Sequence, residues 1–89
     1  MSLSELQTKF EGLELRYDHV LKMAEFKGVE GPEAEKEIIR MYEPKLKNDC
    51  LILVELLTDH TIVHGHGKAM DTLKDRVLFI LGRCVGEEL

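Results

Sequence analysis

The sequence is poor in the residue types on which several common kinds of binding site depend. It has no tryptophan, two tyrosines and three phenylalanines among its 89 residues. Proteins that bind single-stranded nucleic acid stack bases on aromatic side chains, and most nucleic-acid-binding surfaces are basic. This chain has few aromatic rings, and its formal net charge is −5 at pH 7. We therefore expect no nucleic-acid partner.

Cysteine is also scarce, since Cys50 and Cys84 are the only two in the chain. Both lie in apolar runs, and neither belongs to a CxxC motif. This usage does not fit a disulfide framework, so we expect buried free thiols and a reducing compartment, the cytoplasm. A thiol in apolar surroundings is also a poor nucleophile, which disfavours cysteine catalysis.

Long apolar segments and the motifs of cofactor binding are missing as well. No stretch approaches the roughly 20 apolar residues that cross a bilayer, and the N-terminus has no basic region followed by an apolar one. No GxSxG motif, phosphate-binding glycine loop or dinucleotide fingerprint occurs. We expect no membrane association, no secretory signal, no cofactor and no enzymatic activity.

The sequence does contain an unusually apolar run, CLILVELL at residues 50–57, in which Glu55 is the single charged member. A surface helix shows one apolar stripe and a surface strand alternates, whereas this run is apolar on nearly every side. Its leucine content and its flanking residues favour a helix over a buried strand, which periodicity alone leaves open. The run VLFIL at 77–81 has the same character. The rest of the chain has to cover these two runs.

The surrounding residues predict further helices. Residues 2–27 carry a heptad seam, in which apolar residues alternate spacings of three and four: Leu3, Leu6, Phe10, Leu13, Tyr17, Val20 and Ala24. Either Ser2 with Glu5 or Ser4 with Gln7 fits a capping box at the start, and Gly28 fits a left-handed stop. Three more helices are predicted over 32–43, 45–63 and 68–83.

Pro44 decides how many helices the bundle has. Proline removes a backbone donor and clashes with the preceding turn, so it either breaks or kinks a helix. We predict the break, and hence one all-α domain over residues 1–89, a small four-helix antiparallel bundle. A three-helix bundle with a kink at Pro44 is the alternative. Gly82 and Gly86 are expected to weaken or end the last helix, before a frayed tail at 87–89.

The second helix combines a predicted apolar face with a cluster of acidic side chains. The residues expected to face inward are Ala34, Ile38, Ile39 and Tyr42. The acidic residues in and around the helix are Glu30, Glu33, Glu35, Glu37 and Glu43. We interpret this cluster as a solvated face that also complements the helix dipole and could dock a basic partner.

Two helices that are apolar all round cannot both be central in a chain this short. We therefore expect one uncovered apolar face to be buried against a second copy of the chain or another protein. The residues expected at that interface are Leu51, Ile52, Leu56, Leu78 and Phe79. The predicted function is that of a small acidic protein–protein interaction or regulatory module, acting as a homodimer.

An alternative site is formed by His60, His64 and His66. Two imidazoles four residues apart share one helix face, which is a metal-chelating geometry. With His66 in the following turn, they predict an open three-ligand site for zinc or nickel, with Asp59 as a nearby partner. Histidines at the end of a helix are also favoured by its dipole, without any metal.

A third possibility comes from His19 and Lys22, which stand three residues apart on the exposed side of the first helix. This His-x-x-Lys spacing resembles that of histidine phosphotransfer domains, in which an exposed imidazole accepts a phosphoryl group beside a lysine. The resemblance implies a phosphorelay role for His19. Met23 stands where that family has a small residue.

Overall fold

The structure is a computed structural model that describes residues 2–85. Within that range, helix α1 spans Leu3–Lys27, α2 spans Pro32–Tyr42, α3 spans Leu46–His64 and α4 spans Lys68–Val85. These residues contain no strand. The predicted all-α bundle with four helices is therefore confirmed. None of the helices in the described range is both long and apolar enough to cross a bilayer.

Local chemistry sets both ends of α1. The Ser2 hydroxyl accepts a hydrogen bond from the N–H of Glu5 at 3.2 Å, and the Glu5 carboxylate accepts from the N–H of Ser2 at 3.3 Å. This is the first of the two predicted capping boxes. Gly28 ends the helix with a φ of 69°, a left-handed conformation that residues with a Cβ adopt at a cost.

The two prolines mark the ends of α2 and α3. Pro32 is the first residue of α2, a position whose N–H has no acceptor within the helix, so proline costs no hydrogen bond there. Pro44 lies between the end of α2 at Tyr42 and the start of α3 at Leu46, so the predicted break is confirmed. Gly82 lies inside α4 and does not end it. Gly86 and residues 87–89, where a helix end and a frayed tail were predicted, lie outside the described residues.

The core is built on a hairpin of α3 and α4, the most extensively packed pair of helices. Helix α1 packs against both of them, and α2 packs against α1 and α4. The heptad seam of α1 is buried from Leu6 to Ala24, and Leu3 packs partly buried against the same core. The hairpin contributes the other large group of buried side chains: Leu46, Cys50, Leu53, Leu57, Met70, Leu73, Val77, Ile80 and Cys84.

Helix α2 is tied to α1 by side-chain contacts near both of its ends. The Tyr17 side chain contacts Glu35 near the start of α2, while the adjacent Arg16 contacts Glu43 just after its end. Contacts from both ends of α2 thus converge on two neighbouring residues of α1.

The predicted inward face of α2 contains one error. Ile38 and Ile39 are buried and Ala34 is half-buried, as expected, but Tyr42 is 46% exposed. The Lys27 ammonium lies 5.8 Å from the centroid of the Tyr42 ring, so this ring covers a charged side chain instead of the core. Helical spacing placed Tyr42 with Ile38, but the ring lies beside the last residue of α1 and outside the core.

Candidate functional site

The five residues predicted at an interface lie on three different surfaces of the bundle. Ile52 is 46% exposed and Leu56 is half-buried, and both line a groove of about 280 Å³ between α1 and α3. Phe79 is 56% exposed and lies in a separate groove between α1 and α4. Leu51 and Leu78 belong to neither groove.

Phe79 is held by contacts within its own chain. Its ring packs edge-on against the Tyr17 ring, with the centroids 6.1 Å apart. The Arg83 guanidinium lies 5.2 Å from the Phe79 centroid, a cation–π contact on the same ring. Burial against a second protein would therefore stabilise Phe79 less than it would stabilise an equally exposed side chain without these contacts.

The apolar surface facing away from α1 has no such partners among the described residues. On α3, Leu51 and Val54 lie on the opposite flank from Ile52 and Leu56, which face α1. On α4, Leu78 and Leu81 likewise lie opposite Phe79. We refer to Leu51, Val54, Leu78 and Leu81 as the outer face of the hairpin.

The outer face combines exposed and half-buried apolar side chains with charges of both signs. Leu51 and Leu78 are 45% and 42% exposed, while Val54 and Leu81 are partly buried and pack against the core. Lys47 and Glu55 stand one helical turn before and after Leu51, and both are exposed. The arrangement is an apolar centre with a charged rim, which is the usual anatomy of a protein interface.

The structure brings His60 and His64 together on the last turns of α3. Their ring centroids lie 4.4 Å apart, and both rings line a surface pocket of about 300 Å³ that also includes Asp59. The Nδ1 atom of His60 is shielded from solvent and has no hydrogen-bond partner. Burial, together with the nearby charge of His64, lowers the pKa of His60. This favours the neutral imidazole, the form that binds metals.

His66 does not join this pair. It lies in the turn after α3, and its Nδ1 atom is 3.4 Å from Oδ1 of Asp71, in the first turn of α4. Over residues 2–85, no three side chains of the metal-binding types converge on one point. The structure thus assembles two of the three predicted ligands. His19, predicted from a resemblance, lies exposed on α1, as does Lys22.

A buried polar contact between α1, α2 and α4 was not predicted from the sequence. The Tyr17 hydroxyl donates a hydrogen bond of 2.6 Å to Oε1 of Glu35, and Nε of Arg83 lies 3.7 Å from the same oxygen. Glu35 is only 8% exposed, although it was assigned to a solvated acidic face. Tyr17 gave a usable signal, because a tyrosine in an apolar seam needs a polar partner for its hydroxyl.

The chain matches no protein-family model, no curated protein and no solved structure in three separate comparisons.

Proposed function

We propose that this chain is a protein–protein interaction module that forms a homodimer through the outer face of its α3–α4 hairpin. The observation that carries the proposal is the apolar outer face, which lies on the flank away from α1 and keeps Leu51 and Leu78 exposed. The module would act by binding rather than by catalysis. Its buried free thiols suit the reducing cytoplasm.

A second copy of the chain is the occupant that fits this face best. Symmetric dimers bury the same patch of both subunits, so the patch has to complement itself. The outer face consists of two antiparallel helices, and pairing it with itself across a two-fold axis gives a four-helix arrangement of a common kind. A two-fold axis near Leu51 would also set Lys47 of one copy opposite Glu55 of the other, so that the rim charges attract.

Charge substitutions on the outer face test this proposal. In Leu51→Glu and Leu78→Glu variants, we expect the dimer dissociation constant to rise at least about tenfold, or ~1.4 kcal/mol, because each copy buries a carboxylate. Sedimentation equilibrium over a range of micromolar concentrations measures this constant. Leu15→Glu is the matched control, since Leu15 is 70% exposed on the charged face of α1. It should leave the dissociation constant unchanged.

Three results would contradict the proposal. The first is a wild-type chain that stays monomeric throughout the concentration range. The second is equal weakening by Leu15→Glu and Leu51→Glu, which would indicate a general effect of added charge. The third is a dimer that resists both outer-face substitutions but dissociates in an Ile52→Glu or Phe79→Glu variant, which would move the interface to one of the grooves.

Metal binding is a second candidate function, favoured by the 4.4 Å separation of the His60 and His64 rings. Two imidazoles on one helix face hold zinc or nickel at two positions, and Asp59 or water can occupy others. The structure differs here from the three-histidine site expected from sequence, because His66 stands apart with Asp71.

Calorimetric titration with zinc and with nickel distinguishes the two versions of this site. We expect His60→Ala and His64→Ala to abolish the binding heat, because each removes a ligand. His66→Ala should leave the affinity for the metal within a factor of about two, because His66 lies apart from the pair. No heat from the wild-type chain would exclude the site. Loss of binding in His66→Ala would instead support the three-histidine arrangement.

A further inference from the structure

The paired rings of His60 and His64 form half of a zinc site. Their centroids lie 4.4 Å apart, four residues from one another on α3. Over residues 2–85, no third side chain of a metal-binding type converges with them. Zinc in a structural site almost always has four protein ligands arranged as a tetrahedron. Two further ligands are therefore needed, and the described part of the chain does not supply them.

The pocket that holds the two rings is lined, among the described residues, by a single helix. Its lining residues are Leu56, Asp59, His60, Val63 and His64, and its volume is about 300 Å³. Val63 is 74% exposed, and His64 is exposed beside it. A second molecule can thus approach the two rings without displacing another of the described helices.

An unpaired nitrogen at the same place is consistent with a bound ion. Nδ1 of His60 is shielded from solvent and has no hydrogen-bond partner. Polar atoms shielded from water nearly always have a partner, and an ion is one kind of partner that can satisfy them. The His60 ring therefore combines a missing contact with a neighbouring imidazole that can share a ligand.

We propose that zinc binds between two copies of the chain, with His60 and His64 of each copy supplying the four ligands of one tetrahedral site. This inference rests on the metal-binding candidate function and is independent of the outer face. A second copy is the occupant that fits, because it brings an identical pair of imidazoles. A two-fold axis through the ion makes the two pairs equivalent.

The charges around the pocket favour an ion at this contact. The formal net charge of each chain is −5, so two copies repel one another in the absence of a cation. Zinc brings two positive charges, and neutral imidazoles add none. Asp59 lines the same pocket, and the two Asp59 carboxylates of a symmetric pair would balance the charge of the ion. Tetrahedral coordination by nitrogen selects zinc over nickel, which prefers square-planar or octahedral sites.

The zinc-bridged contact lies on a different flank of α3 from the outer face. Leu56 lines both the histidine pocket and the groove that faces α1. Leu51 and Val54 lie on the opposite flank, away from that groove. The two interfaces do not overlap, so zinc should add a contact to the outer-face dimer rather than replace it.

Sedimentation equilibrium of the full-length Leu51→Glu chain, with and without half an equivalent of zinc, tests the proposal. The substitution weakens the proposed outer-face dimer, which leaves the effect of zinc visible. We expect zinc to lower the dimer dissociation constant at least about tenfold, with one ion bound per two chains, and a chelator to reverse the change. Adding His60→Ala or His64→Ala should remove the effect, because each removes two of the four ligands.

Two adjacent residues of similar exposure provide a matched pair of variants for the contact itself. Val63 lies three residues after His60 and shares its side of the helix, whereas Ile62 lies two residues after it on the opposite side. Their exposed fractions are 74% and 77%. Val63→Lys should raise the dissociation constant of the zinc-bridged dimer at least about tenfold, because it sets two ammonium groups beside the ion. Ile62→Lys should change it less than about twofold.

The possible failures of this inference and of metal binding are distinguishable. One zinc bound per chain, with no change in mass, would overturn the shared site and leave the metal-binding candidate intact. Equal weakening by Val63→Lys and Ile62→Lys would also overturn it, as would a zinc-dependent dimer that persists in the His64→Ala chain. Absence of any zinc binding would reject the shared site together with the metal-binding candidate, and would leave the outer face untouched.

Discussion

Leu57→Ala is expected to lower the free energy of unfolding by about 3 kcal/mol, within the range seen when a buried leucine is truncated in a well-packed core. Leu57 is 0% exposed and lies in the middle of α3, within the cluster shared by the α3–α4 hairpin and α1. The substitution removes three carbon atoms and leaves a cavity that the surrounding helices fill only in part. In a domain this small, such a loss is a large share of the total stability.

Chemical denaturation followed by circular dichroism at one fixed protein concentration measures this change, since dimer formation would add a concentration-dependent contribution. Leu15→Ala makes the same chemical change at a side chain that is 70% exposed. We expect it to alter the free energy of unfolding by less than about 0.5 kcal/mol. Similar losses in the two variants would contradict the packing described here.

Tyr17→Phe is expected to lower the free energy of unfolding by about 2 kcal/mol, because it removes the hydrogen bond to a buried carboxylate. Oε1 of Glu35 would lose its 2.6 Å donor and keep only Arg83, whose Nε is 3.7 Å away. The Phe ring preserves the packing of Tyr17 in the seam of α1. The loss in free energy of unfolding therefore measures the cost of removing the donor from the Glu35 carboxylate, and not the cost of a cavity.

A double substitution separates the hydrogen bond from other effects of Tyr17. In Tyr17→Phe with Glu35→Met, neither partner of the hydrogen bond remains, and an apolar side chain of similar length replaces the carboxylate. We expect this variant to recover at least about half of the stability lost in Tyr17→Phe, because replacing both partners by apolar groups removes the unsatisfied atom. Arg83 can still contact the Phe79 ring. A double variant less stable than Tyr17→Phe alone would indicate that Glu35 stabilises the fold mainly through Arg83.

The same contact predicts a change of stability with pH. Burial raises the pKa of Tyr17, as do the hydrogen bond with Glu35 and its charge, while Arg83 opposes them. The unfolded chain therefore loses this proton first, near the ordinary pKa of about 10. The contribution of Tyr17 to stability is complete below that pH and is lost as the pH rises toward the pKa of the folded state. The wild type should lose more stability above pH ~10 than Tyr17→Phe does.

The features predicted correctly from sequence are those that depend on nearby residues. Ser2 and Glu5 are three positions apart, and Gly28 acts through its own backbone angle, so the ends of α1 follow from local chemistry. Pro44 likewise acts on the turn that precedes it. The heptad seam of α1 is also periodic over the length of the helix, which fixes its buried face without knowledge of the partner helices.

The features that sequence did not predict depend on how the helices are oriented relative to one another. Helical spacing puts Glu35 on the same face of α2 as Ile38 and Ile39, but its charge led to its assignment to solvent. Its burial depends on Tyr17 of α1 and Arg83 of α4, which the spacing within α2 does not reveal. Tyr42 is exposed, although helical spacing placed it with Ile38.

Exposure of Leu51 and Ile52 is close to equal, yet they lie on opposite flanks of α3. Periodicity identified α3 as apolar all round, but it could not show which flank α1 covers.

The contacts of Arg16 favour packing of α1 and α2 against α3 and α4 of the same chain. Its guanidinium contacts Glu43 at 2.9 Å and Asp49 at 2.7 Å, one carboxylate on each side of Pro44. The corner between α2 and α3 is thus fastened to α1 at both edges. If this corner straightened, α1 and α2 of one molecule would pack against α3 and α4 of a neighbour, and the neighbour's α1 and α2 would take their place. This exchange of identical elements between molecules is domain swapping. Arg16 holds the corner bent and so favours closure of each chain upon itself.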